Sequence, residues 1–143
     1  DDLDSHVLAA LIKKIVLAKK QNKKSFIVWG TGKPKREFLH VDDLADATVK
    51  IMNLSKKKYN KVAGDKFPFI NVGSGLDISI KDLAELISRT VGFRGKMIFD
   101  KSKPDGTYRK LMDNTKLRKI KWKPKISLNS GIKKTIEDFK ATI

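Results

Sequence analysis

Apolar residues at Val7, Leu8, Leu11, Ile12, Ile15 and Leu17 recur at helical spacing and predict an amphipathic first helix. Asp4 or Ser5 can cap its start, and Lys19 to Lys24 makes a polar exit. Ser25 to Trp29 then reads as a strand, with Phe26, Ile27 and Val28 apolar together, and Glu37 to His40 as a second short strand. Asp42 or Asp43 caps a second helix, whose buried side is marked by Leu44, Ala47, Ile51 and Leu54. A polar, lysine-rich stretch, residues 53–66, reads as a loop and as the best place for a tolerated insertion.

Phe67 to Val72 predicts a strand, broken near its start by Pro68. Ser79 and Asp82 form a capping-box variant at the head of the next helix, with Ile78 and Leu83 as a staple. Ile80, Leu83, Ile87 and Val91 face inward there, and Gly92 ends it. Lys96 to Asp100 is another strand. Thr115 to Ile120 is a short helix stopped by Lys123-Pro124, and Ser127 caps a last helix with Ile132, Ile136 and Phe139 inward. The class is therefore mixed α/β, without internal repeats.

Composition narrows this picture. A chain of 143 residues suggests one domain or slightly less. Such a chain can bury roughly 70% of its unfolded surface. No apolar run approaches the roughly 20 residues of a membrane span. The acidic opening is unlike a secretion signal. The absence of cysteine excludes disulfides, thiolate metal sites and a cysteine nucleophile within this chain, and fits a cytoplasmic setting. The net charge of +16 raises nucleic acid or an anionic membrane as a partner. The lysines are scattered over every element, however, and the only dense run is Lys56-Lys57-Lys58. No nucleic-acid recognition motif accompanies them. A lysine bias with solvated side chains accounts for the charge better.

The densest chemistry lies between Val28 and Asp43, in Val28-Trp29-Gly30-Thr31-Gly32-Lys33-Pro34-Lys35-Arg36-Glu37-Phe38-Leu39-His40-Val41-Asp42-Asp43. Trp29 offers a stacking plane, and Arg36 a planar fork for phosphate oxygens. Gly30 and Gly32 allow close backbone approach. The residues themselves leave two readings open. One is a clasp for a nucleotide diphosphate; the other is a hairpin with a surface tryptophan and a solvated basic turn.

This stretch resembles the WGxGxPxREFLxVDD signature of GDP-L-fucose synthases, a family of the extended short-chain dehydrogenase/reductase superfamily. Ser5-His6-Val7-Leu8 resembles its SHV segment. Asn71-Val72-Gly73-Ser74-Gly75 with Asp77-Ile78-Ser79-Ile80 resembles its NVGSG-D-SI segment. Phe99 to Lys110 resembles its FDxSKPDGTPRK segment, and Trp122-Lys123-Pro124 and Gly131-Ile132 fit its closing helix. The four segments follow in order and cover nearly the whole chain. Among the departures from the pattern, Ala9 and Tyr108 stand for prolines, and Lys121 for a glycine. If Lys121 needs a left-handed backbone, it costs about 1 kcal/mol.

The resemblance implies a C-terminal, nucleotide-sugar-binding portion spanning residues 1–143. The full enzyme would epimerise GDP-4-keto-6-deoxy-D-mannose at two carbons beside its ketone and reduce it with NADPH, as a homodimer. The catalytic half would lie elsewhere. The chain has no dinucleotide-binding glycine turn, and neither Tyr59 nor Tyr108 is followed four residues later by lysine. NADP(H) would thus be bound mainly by a missing N-terminal domain, and this chain alone would not turn over.

By the same resemblance, His6 is the acid of epimerisation, working with a cysteine from the missing part and lying near the cofactor. Lys14 stands where the family usually has arginine, which keeps the charge but loses the bidentate fork. Trp29, Arg36, Asp105 and Lys110 match substrate contacts, Asp105 toward sugar or ribose hydroxyls and Lys110 toward a phosphate. Arg109 is a weaker neighbour, and His40 reads as structural. The rivals are another nucleotide-sugar epimerase or dehydratase, and a basic, non-catalytic nucleic-acid-binding module.

Overall fold

The computed structural model describes residues 6–141. The Asp4 and Ser5 caps lie outside the described residues. The elements run α1 (Val7–Lys20), β1 (Ser25–Trp29), β2 (Lys35–Glu37), α2 (Val41–Met52), α3 (Lys56–Ala63), β3 (Asp77–Ser79), α4 (Ile80–Val91), β4 (Lys96–Asp100), β5 (Arg109–Lys110), α5 (Thr115–Lys119) and α6 (Leu128–Ala141). No helix among the described residues is long and apolar enough to cross a membrane. Two sheets form: β1 pairs with β4, and three short strands take the order β3-β2-β5. The chain divides into two compact units, with the boundaries falling inside β2, β3, β5 and the start of α6.

The first unit holds residues 6–36, 78–109 and 129–141 of the described chain. β1 and β4 are parallel, with Ser25 opposite Lys96 and Trp29 opposite Asp100. Phe26 and Val28 are buried, while Ile27 and Trp29 are exposed, as the two-residue period of a strand requires. The predicted inward face of α4 is buried at Ile80, Leu83, Ile87 and Val91. Ser79 accepts from the Asp82 amide at 3.0 Å and donates its hydroxyl to the Asp82 carboxylate at 2.6 Å. Gly92 closes the helix at φ 73° and ψ 37°, the left-handed cap. Lys19 of α1 then donates to the carbonyl of Val91 at 2.7 Å, satisfying an orphan acceptor at that end.

The second unit holds residues 37–77 and 110–128. Its core gathers Ala47, Leu117, Ile120 and Trp122, with Leu39, Ile51, Leu54, Val62, Ile70 and Val72 packed against them. Several expectations are corrected here. The predicted strand Glu37–His40 is shifted to Lys35–Glu37, because His40 is drawn into a helix start. Its Nδ1 accepts from the Asp42 amide at 3.2 Å, so His40, and neither Asp42 nor Asp43, caps α2. Leu44 is exposed, and Asp43 takes an inward place instead. The lysine-rich loop contains the eight-residue helix α3, because Ser55 caps it by accepting from Lys58 N and Val62 packs on the core.

The predicted strand Phe67–Val72 forms no ladder. Pro68 has no N–H to give one, and Phe69 N bonds back to Phe67 O at 2.8 Å. The ammonium of Lys116 takes the carbonyls of Ala63, Phe67 and Phe69 instead, at 2.5, 2.6 and 3.1 Å.

Lys121 has φ 54°, the left-handed conformation that a glycine adopts without a Cβ clash. Lys121→Gly is expected to stabilise the chain by about 1 kcal/mol. Urea unfolding checks it, and an unchanged midpoint would show that the strain is relieved elsewhere.

Candidate nucleotide-binding site

The turn after β1 is tied down by its own chain. Asp105 accepts from the Thr31 amide and from the Thr31 hydroxyl, both at 2.6 Å. Gly30 has φ 78°, and a Cβ there would overlap the Asp105 carboxylate; at Gly32 it would overlap the Phe99 ring. Both glycines therefore serve close approach, but to Asp105 and Phe99. The Thr31 hydroxyl and amide, and then the Lys33 charge, hold the Asp105 carboxyl below its ordinary pKa, against a desolvation effect that raises it. A lowered folded pKa gives stabilisation that is present above the ordinary carboxylate value and lost as pH falls through the lowered one.

Arg36 is engaged in the same way. Its Nη1 donates to the carbonyls of Lys35 at 2.8 Å and Thr107 at 2.7 Å. Lys35 N donates to Tyr108 O at 2.8 Å. The segment after β4 is thus pinned to the turn after β1 at Asp105, Thr107 and Tyr108. Sequence reading missed Thr31, because one threonine between two glycines carries no signal of its own until its partner 74 residues away is known.

Trp29 is 46% exposed at the end of β1. Lys14, two turns into α1, donates to Ile27 O at 2.9 Å, which places its ammonium 5.5 Å from the Trp29 ring centroid. Lys103 lies 5.6 Å from the same centroid. Beside this cluster opens a cavity of about 480 Å³ lined by Leu11, Lys14, Leu17, Val28, Trp29 and Ile80, among others. Its walls are mainly apolar, and its volume falls in the usual range for a small-molecule site. A flat ring can stack there while anionic groups meet the lysines.

His6 is exposed and stands at the N-cap of α1, without a side-chain capping bond. The next residue, Val7, lines the cavity. The structure brings Lys14 and Trp29 together and joins Arg36 and Asp105 to one anchored segment. Lys110 is exposed in β5, in the second unit. Among the described residues no group of three or more His, Asp or Glu could hold a metal ion.

The NAD dependent epimerase/dehydratase family model matches residues 1–64. A protein of Arabidopsis thaliana named as a GDP-L-fucose synthase is 51% identical over 134 residues, which cover 94% of this chain and 38% of that protein. The GDP-L-fucose synthase of Escherichia coli is 43% identical over 136 residues, 95% of this chain and 42% of that one. Among solved structures, the GDP-mannoheptose C4 reductase of Campylobacter jejuni, with NADP bound, superposes with a TM-score of 0.82. It is 41% identical, over 95% of this chain and 45% of that chain. The chain thus spans about two fifths of the length of the curated relatives it matches.

Proposed function

We propose that this chain, 51% and 43% identical to two GDP-L-fucose synthases over more than nine tenths of its length, belongs to that family of the extended short-chain dehydrogenase/reductases and is the nucleotide-sugar-binding part of such an enzyme. The observation that carries this reading is Trp29, exposed beside an apolar cavity with the Lys14 ammonium fixed against its ring. The guanine base would occupy the cavity, and the diphosphate would meet the lysines.

In the whole enzyme the substrate would be GDP-4-keto-6-deoxy-D-mannose and the product GDP-L-fucose. The ketone makes the hydrogens on its neighbouring carbons acidic, so epimerisation needs a base to remove a proton and an acid to return one on the other face. His6 would be that acid. An imidazole can both give and take a proton, and the exposed position of His6 leaves it open to a ligand. NADPH would supply hydride to the ketone. This chain includes no glycine-rich turn of the dinucleotide-binding type, so the cofactor site would lie mainly in another part of the enzyme, with His6 near it. That site, the tyrosine and lysine that polarise the carbonyl, and the homodimer contacts would belong to an N-terminal part. The anchored turn around Thr31, Asp105 and Arg36 would keep Trp29 in register with the sugar.

GDP is expected to bind this chain about tenfold tighter than UDP or ADP, the scale of one extra pair of base-edge hydrogen bonds. Calorimetric titration with the three nucleotides tests it. Preference for UDP would favour another nucleotide-sugar enzyme, and equal affinities a generic phosphate patch. The basic surface gives the nucleic-acid reading its own signature, namely binding that falls steeply with salt and that GDP does not displace.

A further inference from the structure

We propose that Lys103 is a further ligand-contacting residue of this site, which shares the phosphates of the bound nucleotide with Lys14 across the Trp29 ring. The proposal rests on the nucleotide-binding reading above and adds a residue that the sequence left unmarked.

Three observations carry it. First, the cations against the Trp29 ring are Lys14 and Lys103, while Arg36 Nη1 holds two carbonyls and the Asp105 carboxylate holds Thr31. Those bonds fix the turn that carries Trp29 and the segment that carries Lys103, so the ring and both ammonium groups are presented together. Second, Lys103 does not ride on a loose loop. Its amide bonds Asp100 O at 3.3 Å, Ser102 is clamped by the Asp100 carboxylate at 2.6 and 3.0 Å, and the segment is tied again at Asp105 and Thr107. A side chain on such a support loses less freedom when it binds. Third, Lys14 and Lys103 stand 5.5 and 5.6 Å from one centroid, so their ammonium groups are within roughly 11 Å of each other. Two cations on one ring repel each other, and an anion that reaches both turns repulsion into two attractions. A diphosphate carries enough charge to engage both.

The test uses the 143-residue chain and calorimetric titration with GDP, guanosine and inorganic pyrophosphate. Lys103→Met should weaken GDP and pyrophosphate by about tenfold and leave guanosine unchanged, the expected scale for one charge-assisted phosphate contact. Lys103→Arg should restore most of the loss. Lys101→Met removes the same charge from the same exposed segment without a ring contact, and should weaken GDP by less than about twofold, the size of a screened long-range effect. Unchanged GDP binding in Lys103→Met would overturn the proposal. So would an equal loss in Lys101→Met, which would make the effect a general field, or a parallel loss of guanosine, which would make Lys103 a support for the ring only. If pyrophosphate binding depends on Lys103 but GDP shows no preference over UDP, Lys103 stands and the guanine-sugar reading fails. If neither GDP nor pyrophosphate binds, both fall.

Discussion

Replacing His6 by glutamine in the full-length protein is expected to slow formation of the reduced GDP-deoxysugar by about 100-fold or more, the usual scale for losing a positioned acid. The fold gives this test a clean background. His6 is exposed at the N-cap of α1, and its side chain makes no capping bond. Glutamine there removes no packing and leaves no buried group without a partner, so thermal stability should be unchanged. If the lost step is proton delivery, solvent deuterium should stop entering the sugar at the carbons beside the ketone. A variant that makes product at the parental rate would reduce His6 to a helix-start residue. A variant that is slow but still exchanges deuterium would move the defect to hydride transfer.

Asp43→Ala is expected to destabilise the second unit by about 3 kcal/mol, the cost of stripping a buried charged acceptor from its donors. Asp43 is 2% exposed. Its carboxylate accepts from Lys125 N at 3.0 and 3.2 Å and from Ile126 N at 2.9 Å. Neighbouring Asp46 takes the Trp122 indole at 2.7 Å and the Lys125 ammonium at 2.9 Å. Alanine would leave two amides of the 122–126 segment unsatisfied beside a buried indole. Urea unfolding followed by Trp122 fluorescence, with Trp29 replaced by phenylalanine to remove its signal, measures the loss. Asp43→Asn keeps one acceptor oxygen and should lose less. A loss below about 1 kcal/mol for alanine would mean that water replaces the carboxylate.

The aspartate pair illustrates what was legible along the chain. Asp42 and Asp43 sit before an apolar run, and helix-capping preference assigns them to a helix start. The helix is there, but His40 caps it, and Asp43 points inward to amides 82 and 83 residues away. Propensity cannot see such donors. Glu37 is a second case. It reads as a strand residue, yet its carboxylate accepts from Gly75 N at 2.6 Å and Met112 N at 2.9 Å. A Cβ on Gly73 would overlap it, which is why that position carries no side chain. The lysine bias, read as solvation, also has structural uses: Lys14, Lys19, Lys50 and Lys116 all donate to carbonyls distant in sequence.

By itself the sequence determined the elements whose signals are local. α1, β1, α4 with its Ser79 and Gly92 ends, and β4 follow from periodicity and capping chemistry. The left-handed backbone at Lys121, which the sequence raised only as a condition, is decided by the fold. The sequence also carried the resemblance to GDP-L-fucose synthases, because ordered motifs survive without knowledge of their contacts. Tertiary structure alone decided the rest. It turned the lysine-rich stretch into α3 once Val62 could reach a core, and it denied Phe67–Val72 a ladder once Lys116 took its carbonyls. It also bonded Asp105 to Thr31 and Arg36 to Thr107, which holds a turn, and set Lys103 against Trp29. The physical reason is the same in each case. A polar side chain bonds whichever partner the fold brings within about 3 Å, and that partner is set by packing between distant segments.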